Sequence, residues 1–353
     1  MTTRRLGFFT RLLDEVPAGD RYRYAAEQIV TAERFGFDSA WVAQHHFHEN
    51  EGGLPSPLVF LSHVAALTTG IRLGTGIITL PLENAIRVAE DAAVLDLLSG
   101  GRLELGVGSG GTPSSFTAFG HESSDRGRIF AEHLQVLRSA FAGEVFGGID
   151  AVDDNRLYPA APDLLGRLWQ ATFSAAGGTR AGAAGDGLML SRTQPRPADA
   201  PHASLADIQL PIIEAYFDAL PDGTPPRIMA SRTLFVADDR AEARRYAEIG
   251  LRRAVAGFRS SGQVISGESL DELIASLDTH VGTVDDVIES LAADRSLDAV
   301  TDVVFQVHSV DPPHELILRS IELIATEVAP ALGLGVGIGD RVGARVAGQL
   351  SHS

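Results

Sequence analysis

Apolar residues recur along this chain in two alternating rhythms. Short runs that are fully apolar or of period two, rich in β-branched and aromatic residues, fall at 6–10, 39–43, 71–79, 102–107, 168–173, 187–191, 227–236 and 299–307, and each reads as a strand. Stripes at helical spacing, such as Ala25, Ala26, Ile29, Val30 and Phe35, predict helices over 22–35, 57–69, 83–98, 126–141, 177–185, 204–220, 239–258 and 313–329. Turn signals punctuate the alternation, with Gly36-Phe37-Asp38 before the second strand and Ser99-Gly100-Gly101 before the fourth. Eight strands, each followed by a helix, predict a closed (β/α)₈ TIM barrel as a single domain over 1–330, in preference to an open doubly wound sheet with fewer units in two halves. Three segments, 143–167, 194–203 and 260–282, fall outside the repeat. The last is polar and inserted between the seventh and eighth strands, so it is expected to be either a mobile lid or disordered. The tail 331–353, Gly-rich at first, is expected to be loose.

Composition narrows the class. The chain has 353 residues, 44% hydrophobic and 21% charged, the balance of an ordinary globular protein. With 29 Lys and Arg against 46 Asp and Glu, the net charge of −17 argues against nucleic acid or an anionic membrane as partner. There is no cysteine, hence no disulfide framework and no thiol chemistry. The apolar run before Arg11 is too short for a signal peptide, and no run approaches the roughly 20 apolar residues of a membrane span, so a cytoplasmic location is expected.

Candidate chemistry gathers at the C-terminal ends of the predicted strands, the face where such folds place active sites. Gln44-His45-His46-Phe47-His48-Glu49 follows the second strand. Neutral imidazoles there can act as bases or hold developing negative charge, while the spacing matches no strong zinc pattern, and no metal is expected. If the strand stays regular, its period of two puts His45 and His46 on opposite sides. Gly106-Val107-Gly108-Ser109-Gly110-Gly111 satisfies G-x-G-x-x-G after a strand, yet the first expected helix starts only near Arg126 and no ribose-binding acid follows. It reads instead as a glycine-rich loop whose amides approach a ligand, with Ser109 as a hydroxyl donor, or as a loop that merely needs positive φ. Gly177, Gly178 and Thr179 would offer free amides at a helix N-terminus, a site for phosphate beside Arg180, or else Thr179 is an ordinary cap. Gly76, in Thr75-Gly76-Ile77-Ile78, lets a flat ligand lie against backbone, or serves packing alone.

Taken together these segments resemble the bacterial luciferase-like family of flavin-dependent monooxygenases. The resemblance is dense from Gly36 to Phe141, through Gly-Phe-Asp-Ser-Ala-Trp-Val-Ala-Gln-His-His-Phe, Gly74-Thr75-Gly76-Ile77-Ile78-Thr79-Leu80-Pro81, Val88-Ala89-Glu90-Asp91, Leu95-Asp96 and Gly101-Arg102-Leu103. It returns at Gly185-Asp186-Gly187, at Gly282-Thr283-Val284-Asp285-Asp286, across Pro313 to Leu323, and at Val328-Ala-Pro. The resemblance implies a (β/α)₈ barrel, usually dimeric, that uses reduced FMN from a separate flavin reductase, and O₂, to oxygenate a small organic substrate. Its rivals are a dehydrogenase or reductase using the deazaflavin coenzyme, and a non-catalytic flavin-binding protein. By the same resemblance His45 is the catalytic histidine at the reactive face of the flavin, and Gly76-Ile77 is a non-prolyl cis peptide under its ring. Ser109, Thr172, Ala176, Gly177, Gly178 and Thr179 are its further contacts. Gln44, His46 and Arg192 would shape the substrate pocket. The luciferase α-subunit has an arginine where this chain has Ser109, so phosphate binding here would rest on amides, Thr179, and Arg180 or Arg192.

Overall fold

The computed structural model describes residues 4–147, 155–197, 199–260, 265 and 267–335. In chain order the strands are β1 (Arg5–Thr10), β2 (Ser39–Val42), β3 (Arg72–Thr75), β4 (Ile78–Thr79), β5 (Leu103–Gly108), β6 (Leu168–Ala171), β7 (Gly187–Leu190), β8 (Ile228–Val236), β9 (Thr279–Gly282) and β10 (Asp302–Gln306). All pairings among them are parallel, and β10-β1-β2-β3-β5-β6-β7-β8 close into a barrel through β8 with β10. These eight are the strands the periodicity predicts. The principal helices are α1 (Ala18–Arg34), α2 (Pro57–Leu67), α3 (Ala85–Leu98), α4 (Pro113–Ala118), α5 (Arg126–Phe141), α6 (Ala175–Ala183), α7 (Leu205–Ala219), α8 (Arg240–Ser260), α9 (Leu270–Ser276), α10 (Val284–Ala292) and α11 (His314–Leu323).

The barrel is filled, not hollow. Phe9, Trp41, Ala43, Trp169, Met189, Met229 and Val304 pack inside it, with the two indoles edge to face at 5.6 Å. Room for them comes from glycine on a neighbouring strand: a Cβ on Gly74 would lie 2.1 Å from Trp41, and one on Gly187 2.2 Å from Trp169. Below the indoles, at the N-terminal mouth, Glu104 accepts from Trp169 Nε1 (2.7 Å) and pairs with Arg72, while Arg5 pairs with Asp302. The larger apolar core lies between the strands and the surrounding helices.

Several expectations change. The strand expected over 71–79 is interrupted: Gly76-Ile77 is a cis peptide, and its continuation β4 pairs with β5 beyond the end of β3. The expected helix over 83–98 starts at Ala85, because the Asn84 side chain accepts from the amides of Ile86 and Arg87 and caps it. The 260–282 connection is not a structureless lid where it is described. It folds into α9, begun by a Ser269/Glu272 capping box, and β9, which extends the C-terminal half of β8. Phe235, Leu251, Leu273 and Leu277 give this annex an apolar core of its own. Its beginning, residues 261–264, lies outside the described residues, as do 336–353 of the tail. The described start of that tail is tied down, with the Gly335 amide donating to the Arg4 carbonyl at 2.7 Å. No described helix is long and apolar enough to cross a membrane.

Candidate active site

The C-terminal ends of the strands open into a cavity of about 680 Å³. Its floor is the upper layer of the barrel interior: Phe9, Met189, Met229, Ser231 and Gln306. Its walls are His45 and His46 after β2, the Gly76-Ile77 step, the loop 109–112 after β5, and Thr172 to Ser174 after β6.

Strand β2 ends at Val42, so Ala43 onward is loop and the alternation of a strand no longer applies; His45 and His46 both line the cavity, against expectation. The Nε2 of His45 lies 3.0 Å from an Arg11 guanidinium nitrogen, and its Nδ1 3.7 Å from Glu51 Oε2. Burial, and then the charge of Arg11, push this imidazole down to about 4, so it is neutral at neutral pH. Glu51 also accepts from the Thr112 hydroxyl at 3.0 Å, which ties the histidine loop to the glycine loop after β5. His46 stands edge-on to Phe119 at 4.9 Å, and its Nε2 is buried with no hydrogen-bond partner. Burial lowers its pKa too. Gln44 also lines the cavity, but its amide is engaged within the protein. It donates to Glu83 (2.7 Å) and to the Pro55 carbonyl (3.1 Å) and accepts from the Thr79 amide (2.7 Å), fastening this loop to β4.

Glycines let the chain pack closely along this wall. A Cβ on Gly76 would lie 2.4 Å from Phe9, one on Gly106 2.1 Å from the Thr75 carbonyl, and one on Gly110 2.4 Å from Thr79. Gly110 also has φ of +71°. The G-x-G-x-x-G run thus serves close strand packing and a tight loop, with Ser109 facing the cavity. A helix does follow it, the short α4 from Pro113, which the pattern did not predict.

The turn before α6 departs from expectation. The helix starts at Ala175, two residues early, because Ser174 caps it: the Ser174 hydroxyl accepts from the Gly177 amide (3.2 Å), and its carbonyl accepts from the amides of Gly177 and Gly178 (3.0 and 3.1 Å). Gly177, Gly178 and Thr179 therefore offer no free N-terminal amides, and neither they nor Ala176 line the cavity. Gly177 and Gly178 are packing positions, where a Cβ would meet Thr172 Oγ1 at 1.9 Å and the Ile212 carbonyl at 2.5 Å. Thr172 and Ser174 do line the cavity.

The charge at this end is supplied by arginines. Arg180 lines the cavity, donates to Gln170 Oε1 (2.8 Å) and lies 5.1 Å over the Phe130 ring. Burial lowers its pKa, and none of the salt bridges among the described residues involves it. Arg126 lines the same end, bonded to the Ser123 carbonyl (3.2 Å). Sequence reasoning missed it. Its local signal is a cation on the first residue of α5, where the helix dipole favours an anion. Arg192 does not line the cavity. It is 4% exposed, donates to Thr233 Oγ1 (3.2 Å) and lies 5.8 Å over Phe258; burial and the charge of Arg11 bring it down to about 9. No acidic side chain is among the described residues that line the cavity.

A closed parallel barrel with its cavity at the C-terminal face and arginines at one end defines an enzyme-like ligand site. The family model described as luciferase-like monooxygenase matches residues 6–301, and the chain belongs to that family of oxidoreductases. An uncharacterized protein, y4vJ of Sinorhizobium fredii, is 29% identical over 338 residues, spanning 89% of this chain and 93% of its own. Among solved structures, the monooxygenase RslO1 from Streptomyces bottropensis superposes with a TM-score of 0.77 at 26% identity, covering 93% of this chain and 99% of its own. Two further structures show the same fold. One is the oxygenating constituent of 3,6-diketocamphane monooxygenase of Pseudomonas putida, in complex with FMN, with a TM-score of 0.70 at 20% identity over 93% of this chain and 98% of its own. The other is the coenzyme F420-dependent tetrahydromethanopterin reductase of Methanopyrus kandleri, with a TM-score of 0.65 at 18% identity over 93% of this chain and 99% of its own.

Proposed function

We propose that this protein is the oxygenating component of a two-component monooxygenase, which takes up reduced FMN from a separate flavin reductase and uses O₂ to oxygenate a small, uncharged organic substrate. One observation carries the reading: a cavity of about 680 Å³ with no acidic side chain among its described lining residues has its two arginines at one end and a mainly apolar floor, relieved by Ser231 and Gln306, at the other. That volume is within the roughly 300–1,000 Å³ of small-molecule sites, enough for a flat ring system and a second small molecule. The polar atoms available suit the group. His46 Nε2 and Gln306 Oε1 are buried without partners, and Arg180, which lines the cavity, has no carboxylate paired with it among the described residues. In this reading Arg180, Arg126 and Ser174 hold a phosphate monoester, since guanidinium groups recognise phosphate bidentately. The Gly76-Ile77 backbone and Gly108 leave room for a ring to lie flat on the wall. Bound reduced FMN would supply the electrons that O₂ chemistry needs.

The chain's own residues prepare the remaining space. His45, neutral, can donate a hydrogen bond to a developing oxyanion without first losing a charge to solvent. Phe9, Met189 and Met229 exclude water from the floor, while Ser231 and Gln306 offer it two polar contacts. Arg11 and Arg192 are the other cations near this end; Arg11 is engaged with His45 and Glu51, and Arg192 lies outside the lining. Sulfonates and carboxylates would therefore lack a counter-ion there, which favours a neutral substrate. For assembly we propose a homodimer through α2 and α3, whose outer faces expose Val59, Leu67, Val94, Leu97 and Leu98. The test is a titration with FMN, reduced FMN and the deazaflavin coenzyme, followed by O₂ uptake with candidate substrates. Tight binding of reduced FMN with substrate-dependent O₂ consumption supports the reading. Preference for the deazaflavin, with hydride transfer and no O₂ uptake, would replace it by a dehydrogenase or reductase. Flavin binding without turnover of any substrate would leave a flavin-binding protein.

A further inference from the structure

We infer that Arg11 is a positioning residue for His45: by donating to Nε2 it locks the ring as the Nδ1–H tautomer and leaves Nδ1 as the one nitrogen able to donate a hydrogen bond to a ligand. The catalytic significance of this lock rests on reading the cavity as the oxygenation site; the lock itself does not. A guanidinium has donors only, so the 3.0 Å contact from Arg11 to Nε2 requires a lone pair on that nitrogen. The neutral ring must then carry its proton on Nδ1. Arg11 is held for this task. Its Nε donates to the Glu51 carbonyl at 3.0 Å, and its terminal nitrogen donates to the same carbonyl as well as to His45. On the other side Nδ1 faces Glu51 Oε2 at 3.7 Å, beyond hydrogen-bond length, so the Nδ1 proton is not firmly engaged within the protein.

The charged and titratable groups facing this pair come from three loops: Glu51 and His46 after β2, Asp311 and His308 after β10, and Arg192 after β7. Asp311 balances the charge of Arg11, and Asp311 is itself bonded to His308 (2.8 Å) and Arg253 (3.1 Å). A small cavity lined by Thr10, Arg11, Gln306, His308 and Asp311 lies directly behind. The consequence for chemistry is specific. With Nε2 occupied, His45 does not act as a base through that nitrogen; it acts as a hydrogen-bond donor from Nδ1, next to Glu51 and Thr112.

The experiment is imidazole ¹H–¹⁵N correlation spectroscopy on ¹⁵N-histidine-labelled protein, with the His45 signals assigned by their loss in His45→Gln. The wild type is expected to show His45 protonated on Nδ1 and bare on Nε2 at neutral pH, with no titration between pH 5 and 8. In Arg11→Met, the ring is expected to shift toward the Nε2–H tautomer and to titrate closer to its ordinary range. Arg11→Lys, which keeps a charged donor, is expected to restore the Nδ1–H form. A wild-type His45 protonated on Nε2 overturns the inference whatever the variants do, and so does an unchanged tautomer in a folded Arg11→Met. Failure of the wild type to bind reduced FMN would overturn the proposed function while leaving this spectroscopic result intact.

Discussion

Replacing Arg180 with methionine keeps a long unbranched side chain over the Phe130 ring and removes the guanidinium from the cavity. The structure sets the size of the effect. Arg180 lines the cavity with a hydrogen bond only to the neutral Gln170 amide, so its charge is not neutralised by a neighbouring carboxylate that a ligand would have to displace. A hydrogen bond to a charged group contributes about 1.5–3 kcal/mol, and at about 1.4 kcal/mol per decade the loss amounts to about 10- to 150-fold in affinity. Arg126 and Ser174 remain, so binding should weaken without vanishing. The assay is fluorescence or absorbance titration of wild type and Arg180→Met with FMN and with riboflavin, which has the same ring and no phosphate. The FMN affinity should fall by that factor and the riboflavin affinity should hardly change. Equal losses for both ligands would mean that Arg180 shapes the wall rather than binding phosphate. No loss for either would place the phosphate elsewhere and refute the orientation of the ligand proposed above.

Other consequences can be checked in the same protein. A Cβ on Gly182 would come 2.3 Å from the Tyr216 carbonyl where α6 crosses α7, so Gly182→Ala should cost about 1–3 kcal/mol of stability in urea unfolding. His45, His280 and His308 are held down at about 4, 4 and 3, mainly by burial. As pH falls from 6.5 to 4 the unfolded chain takes up protons that the native state refuses, so stability should drop through that window, by at most about 1.4 kcal/mol per group per pH unit. Urea midpoints measured at pH 7, 5.5 and 4.5 read it directly; flat midpoints would mean that these rings are protonated in the native state. Leu97→Glu with Leu98→Glu, on the exposed face of α3, should halve the mass seen by light scattering if the chain pairs there. Ser174→Ala removes the α6 cap and should lower stability by about 0.5–2 kcal/mol.

What the sequence by itself determined is the local order of this protein. Runs of period two and stripes of period 3.6 are set by backbone geometry, so the eight barrel strands and the helices between them could be read without any knowledge of contacts. The glycine loops and the histidine pair also carried their meaning locally, as did the family likeness. The annex was harder. Strand β9 is four residues long and takes its stability from pairing with β8, more than 40 positions earlier, so periodicity within it says little. Tertiary structure alone decided which polar groups are free. Gln44 lines the cavity, but its amide proved to be shared among Glu83, Pro55 and Thr79, and Arg192, expected in the pocket, proved to lie outside the lining, bonded to Thr233. Gly177 and Gly178 looked like amide donors, and a serine just ahead of them had already taken those bonds. Conversely, Arg11 lies 34 positions from His45 in the chain and 3.0 Å from it in the fold. Residue type sets what a side chain can donate or accept. Whether that capacity is already satisfied depends on neighbours brought in from distant segments, and only the closed barrel supplies them.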